Sequence, residues 1–188
     1  MAPRASHHTI VALVENKPGV LNRIASKWRQ RAFNIESLAV GHSEQPGLSR
    51  MTFTVDGATH DVEQVTKQLY KVIEVVKITD LTHDEIVARE LALIRVAATN
   101  TTRTSILEIA SIFKADVIDV ASDSLIIEAT GTEDKIEQLC DLLAPYGIKE
   151  LSRTGRIAMS RGSVAHDEDG NRRFHSAGEG KAQVGSLL

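Results

Sequence analysis

Cysteine is almost absent from this sequence: Cys140 stands alone among 188 residues. That excludes an intramolecular disulfide framework and a zinc site built from thiolates, and it points to a reduced compartment. Aromatic residues make up 4% of the chain, which leaves few rings on which a sheet could stack nucleic-acid bases. An excess of one charge is lacking too. Lys and Arg number 22 against 25 Asp and Glu, so a net charge of −3 creates no field drawing the chain to phosphate backbones or anionic membranes. No run of 18 apolar residues occurs, and residues 1–8, with Arg4, His7 and His8, hold no apolar stretch of signal-peptide length. The expectation is a cytoplasmic protein with neither a membrane nor a nucleic acid as partner. No nucleophile elbow and no GxGxxG fingerprint is present, so no catalytic residue is assigned. His83, Asp84 and Glu85 are adjacent and cannot converge on one ion from a regular helix, so no metal ligand is assigned either.

What the chain does have is 42% hydrophobic residues, enough for packed cores, arranged in a pattern that occurs twice. Residues 9–14 are almost wholly apolar and read as a strand, closed by Glu15, Asn16, Lys17, Pro18 and Gly19. Val20, Leu21, Ile24 and Trp28 then recur at helical spacing. A hairpin follows over 33–41 and 49–55, in which Met51, Phe53 and Val55 alternate with Arg50, Thr52 and Thr54. Asp61 stands where a helix cap would, ahead of Val62, Val65, Leu69 and Val72, and the β-branched run 75–78 completes a βαββαβ unit. The same order returns after a charged stretch. Strand 91–96, a helix marked by Ile106, Leu107, Ala110 and Phe113, strands 117–120 and 125–129, a helix marked by Ile136, Leu139, Cys140 and Leu143, and a strand from 148 make the second unit.

The expected fold is therefore α+β, two tandem ferredoxin-like βαββαβ domains. The division is an N-terminal arm at 1–8, a first domain at 9–81, a connector at 82–89, a second domain at 90–162 and a tail at 163–188 whose Gly, Ser and charged residues suit disorder. Each unit, at about 70 residues, is near the lower size for a self-sufficient core, and an open four-stranded sheet leaves one face and an edge to cover. Pairing between chains is the natural remedy, so at least a homodimer is expected.

The first strand-to-helix junction is the stretch with chemistry in it. A helix N-terminus offers unpaired N–H groups and the positive end of a dipole, so the amides of Gly19, Val20 and Leu21 could receive a carboxylate. Asn16 adds an amide that both donates and accepts, as a zwitterion's two ends require. Leu13, Val20 and Ile35 could wall an apolar pocket for a branched side chain. On its own, Asn-x-Pro-Gly more often makes only a turn and a cap. Its weight comes from its surroundings.

Glu15, Asn16, Lys17, Pro18, Gly19, Val20 and Leu21, then Phe33, Asn34, Ile35, Glu36 and Ser37, then Ser49, Arg50 and Met51, resemble the ACT domain of acetolactate synthase small subunits. The likeness continues through Arg89, Glu90, Leu91, Ala92 and Leu93, Ile118, Asp119 and Val120, Ser152, Arg153, Thr154 and Gly155, and Ser160, Arg161 and Gly162, which are similar to that family's C-terminal domain. Trp28 departs from the family, which commonly has phenylalanine or a smaller apolar residue there.

The resemblance implies a regulatory subunit in branched-chain amino acid biosynthesis. Such a subunit activates a large catalytic subunit and confers feedback inhibition by valine or another branched-chain amino acid bound between two ACT domains. Carried over, Asn16 and Gly19 with the amides of Val20 and Leu21 hold the effector from one chain, and Asn34 and Ile35 approach from its partner. The second unit has no Pro-Gly turn between Ala98 and Arg103, so it is assigned to contacts with the catalytic subunit and with itself. No Gly-Asp-Gly with distant paired Asn is present, so this chain binds no cofactor, and thiamine diphosphate, magnesium and FAD are expected on the catalytic partner. Two other readings use part of the same residues: a free-standing ACT-type regulator of another enzyme, and an RNA-recognition-like sheet.

Overall fold

A computed structural model describes residues 7–30, 34–56 and 62–162. Asp61, Phe33, residues 1–6 and the tail after 162 lie outside the described residues. The first unit runs β1 (His7–Glu15), α1 (Val20–Arg29), β2 (Ile35–His42), β3 (Leu48–Asp56), α2 (Val62–Leu69) and β4 (Val75–Asp80), with the strands in the order β2-β3-β1-β4 and every neighbour antiparallel. The second repeats it. There β5 (Ile86–Ala97), α3 (Arg103–Ile112), β6 (Asp116–Val120), β7 (Ser124–Gly131), α4 (Glu133–Leu143), a 3₁₀ turn and β8 (Ile148–Arg153) give the order β6-β7-β5-β8.

The period-two and period-3.6 patterns meet in each core. In the first, Ile10, Ala12 and Val14 of β1 and Met51, Phe53 and Val55 of β3 face Val20, Ile24 and Trp28 of α1, which stand four residues apart on one helical face. Trp28 is 2% exposed and stacks on Phe53 with ring centroids 5.1 Å apart. An indole therefore fits this position, and such a stack adds about 0.5–1.5 kcal/mol beyond area burial. The second core sets Ala92, Ile94 and Val96 and Leu125, Ile127 and Ala129 against Ile106, Ala110, Ile136, Leu139 and Leu143.

Two features depart from the sequence reading. Residues 82–89 are expected as a connector, yet β5 begins inside that stretch at Ile86, and residues 86–89 pair with a ninth strand, β9 (Ile157–Ser160). The ladder supplies order that Glu85, Arg89 and Glu90 concealed in the sequence. The first sheet's face away from its helices is covered by the same chain: Val11, Leu81 and Ala158, each at most 5% exposed, pack with Ile86 and Ala88. Cover that was expected from a second chain comes, for this face, from β5 and β9.

Candidate functional site

Strand β1 ends between two loops. The Glu15 amide donates to the Glu74 carbonyl at 2.9 Å and the Asn16 amide to the Gly47 carbonyl at 2.8 Å, which holds the start of the turn from both sides. Gly19 then adopts φ +85°, a conformation that costs an L side chain about 1–2 kcal/mol. A Cβ there would meet nothing closer than Arg23 Nη2 at 4.0 Å, so the backbone angle, rather than crowding, is what calls for glycine. Gly19 is the N-cap of α1 and offers no side-chain acceptor, and the first helical turn carries no acidic residue. The Val20 amide makes one long bond to the Lys17 carbonyl, 3.4 Å. Among the described residues the amides of Gly19 and Leu21 meet no backbone acceptor. The result is a set of donors at a positive dipole end, open to an anion.

Charged groups frame the turn. Lys17 Nζ lies 2.7 Å from Glu15 Oε2, and that hydrogen bond, with the Glu15 charge, raises the lysine's pKa above its ordinary value. Arg23 Nη1 pairs with Glu74, whose carboxylate is buried and keeps its second oxygen without a hydrogen-bond partner among the described residues. Sequence reasoning missed this pair because 51 residues separate its members. It also missed His42, whose Nδ1 lies 3.5 Å from Asn16 Nδ2.

The remaining candidates are placed by the topology. Val20 is 2% exposed and points into the core, so only its amide faces the turn, while Leu21 is exposed. Leu13 is registered opposite Arg50 and Lys77 on the face away from α1, beside Val11 and Met159 in a cleft of about 440 Å³. Ile35 packs partly against the first core, and Asn34 before it is exposed. Strands β1 and β2 both run antiparallel to β3 and hence parallel to each other. Asn16 therefore lies at the His42 end of β2 and Asn34 at the other, separated by an eight-residue strand of about 25 Å. A single chain does not bring Asn16 and Asn34 together. Two copies set with their β2 edges antiparallel would place the turn of each beside Asn34 of the other.

Residues 10–77 match the family described as the AHAS small subunit-like ACT domain, and residues 89–162 match the family described as the small subunit of acetolactate synthase. The chain belongs to the acetolactate synthase small-subunit family. An Archaeoglobus fulgidus protein named probable acetolactate synthase small subunit is 55% identical over 156 residues, 83% of this chain and 98% of that one. The Bacillus subtilis acetolactate synthase small subunit is 52% identical over 82% of this chain and 90% of its own length. The crystal structure of the acetolactate synthase small subunit from Thermotoga maritima superposes with a TM-score of 0.77 at 42% identity, covering 84% of this chain and 99% of that one. Both tandem domains of this small-subunit chain are thus of the family's α+β fold, the first an ACT domain.

In this acetolactate synthase small-subunit fold the second domain's equivalent junction is bonded differently. The Thr99 amide donates to Thr102 Oγ1 at 2.9 Å, and the Thr102 amide donates back to Thr99 Oγ1 at 3.3 Å. Arg103 Nη2 donates to the carbonyls of Ala121 and Ser122 at 2.8 and 3.0 Å. The amide of Thr102, which stands where Gly19 stands in the first domain, is therefore bonded here, although α3, like α1, begins without a side-chain cap. Among the described residues no group of three or more His, Cys, Asp or Glu side chains is arranged to hold a metal ion, and no helix is long and apolar enough to cross a membrane.

Proposed function

We propose that this chain is the regulatory subunit of an acetolactate synthase: it binds and activates the large catalytic subunit and confers feedback inhibition by valine or another branched-chain amino acid. The uncapped turn at Asn16–Leu21 carries this reading, inside a chain whose family is defined by the same two domains. The effector's carboxylate is received by the Gly19 and Leu21 amides, Asn16 serves both its charged ends, and Asn34 and Ile35 come from a second copy. The topology of one chain supports that division, because it sets the two halves of the site at opposite ends of the edge strand β2. Thiamine diphosphate, magnesium and FAD belong to the catalytic partner, where the chemistry occurs.

The effector acts by binding one inter-domain arrangement more tightly than another, and couplings of this kind are typically about 1–3 kcal/mol, or 5- to 150-fold. Discrimination among valine, leucine and isoleucine is modest, since one methylene in an apolar pocket is worth about 1–3 kcal/mol. The test is turnover of the purified catalytic partner with and without this chain, across a valine titration. A rise on mixing, reversed by valine, is expected. Turnover indifferent to the chain would refute the regulatory reading, and turnover raised but indifferent to branched-chain amino acids would refute the effector site.

A further inference from the structure

Arg156 takes no part in the effector site, yet its hydrogen bonds reach β1, β2, β3 and α4. Its Nη2 donates to Thr9 Oγ1 at 3.1 Å and to Thr54 Oγ1 at 3.3 Å, its backbone amide to Ser37 Oγ at 2.8 Å, and its Nη1 to Glu133 Oε2 at 3.5 Å. Thr9 is registered opposite Thr54, and Ser37 opposite Thr54 on the other side. The three hydroxyls therefore form a row across β1, β3 and β2, on the face away from the helices, and one residue of the second domain reads all three. Glu133 lies in the first turn of α4. The segment sits between the end of β8 at Arg153 and the start of β9 at Ile157.

Contact is made close by Gly155. A Cβ at this position would fall 2.8 Å from the Ala39 amide nitrogen and nearer still to the Leu38 carbonyl, atoms of the β2 backbone that cannot swing away. Thr9 and Thr54 are 3% and 4% exposed beneath the guanidinium, and Arg156 Nε is itself buried without a partner among the described residues. Between Ile35 and Ser37 the pairing of β2 with β3 shifts register. A ligand that moves Asn34 and Ile35 thus acts one irregular step from a hydroxyl held by Arg156.

We propose that Arg156 is the positioning residue that transmits effector occupancy at the start of β2 to α4 and β9 of the second domain; the inference rests on the effector reading above. A planar guanidinium fork holds several acceptors in one geometry and tolerates little displacement, which a flexible ammonium would absorb. A cleft of about 460 Å³, lined by Glu36, Glu90, Glu133 and Arg153 as well as Arg156, adjoins the fork, and Glu90 is paired there with Arg153. A cation held by hydroxyls of one domain and a carboxylate of the other is a contact that a switch between two inter-domain states has to rearrange.

Linkage supplies the test. If valine is coupled to the partner enzyme, its affinity must differ between the free full-length chain and the complex by the same factor. Calorimetry with valine measures both, for wild type, Arg156→Gln, Arg156→Lys and the double variant Thr9→Val with Thr54→Val, which keeps the arginine and removes the two threonine acceptors of its guanidinium. The wild-type ratio should fall in the range of about 5- to 150-fold. It should collapse to about 1 in Arg156→Gln and in the threonine pair, recover in part in Arg156→Lys, and saturating valine should no longer inhibit the first two. A residue that merely stabilised the fold would move melting temperature and leave the ratio alone. Valine heat with a wild-type ratio in both Arg156→Gln and the threonine pair overturns the inference alone. Absence of heat with the wild-type chain overturns the effector reading, and this inference with it.

Discussion

Replacing Gly155 with alanine should separate the two domains energetically without touching either core. The added Cβ would lie 2.8 Å from Ala39 N and closer to Leu38 C and O, distances that real Cβ contacts do not reach, so the Gly155–Arg156 backbone must lift from β2. A lift of about 1 Å carries the Arg156 amide, now 2.8 Å from Ser37 Oγ, past hydrogen-bonding range and stretches the 3.1 and 3.3 Å bonds to Thr9 and Thr54. Overpacking costs about 1–3 kcal/mol, and leaving a buried donor unsatisfied about 1–3 kcal/mol more. The expected loss is therefore about 2–6 kcal/mol, appearing in urea unfolding as a lower midpoint. Hydrogen exchange should localise it, with amides of β9 and residues 86–89 losing protection while those of β7 and α3 keep theirs. An unchanged midpoint, or loss of protection spread evenly over both domains, would refute the account of Gly155 as the point of close approach.

Three further outcomes follow from the geometry. Gly19→Asp places a carboxylate over the amides proposed to hold the effector's own, and each charge-assisted hydrogen bond lost is worth about 1.5–3 kcal/mol; calorimetry should show valine affinity down by at least tenfold, and unaltered affinity would refute the seat. Trp28→Ala should cost about 3–5 kcal/mol in urea unfolding because it empties a site 2% exposed and ends the stack on Phe53, whereas Trp28→Phe should cost much less; equal losses would refute the packing argument. Asp123 is held below its ordinary carboxyl pKa by the hydrogen bond from Lys149 at 2.6 Å and by that lysine's charge. A depressed pKa means the pairing contributes above the unfolded-state value and is lost as pH falls through the folded one, so Lys149→Met should move the Asp123 carboxyl titration, followed by NMR, upward.

The repeat of strand and helix was legible because each period appears locally: 2 in Met51, Phe53 and Val55, and near 3.6 in Val20, Ile24 and Trp28. The turn at Asn16–Leu21 was legible for the same reason, since Pro18 and Gly19 announce it within four residues and its open amides follow from the absence of a capping side chain. Thr52 and Thr54 read as the face of the hairpin opposite Met51, Phe53 and Val55, and what buries them to 3% and 4% could not be seen, because it arrives about 100 residues later.

Local sequence by itself determined that two βαββαβ units form, which residues fill their cores, and that α1 begins on an uncapped glycine. Those outcomes depend on neighbours within one or two turns of helix or strand, whose energetics the order of residues states directly. Only the tertiary structure decided that β5 starts at Ile86 to receive β9, that Asn16 and Asn34 stand at opposite ends of β2, and that Thr9, Ser37 and Thr54 converge on Arg156. Sequence separations of 102, 119 and 147 residues lie behind those last contacts, and no local pattern encodes a meeting that exists only once both sheets have folded and docked.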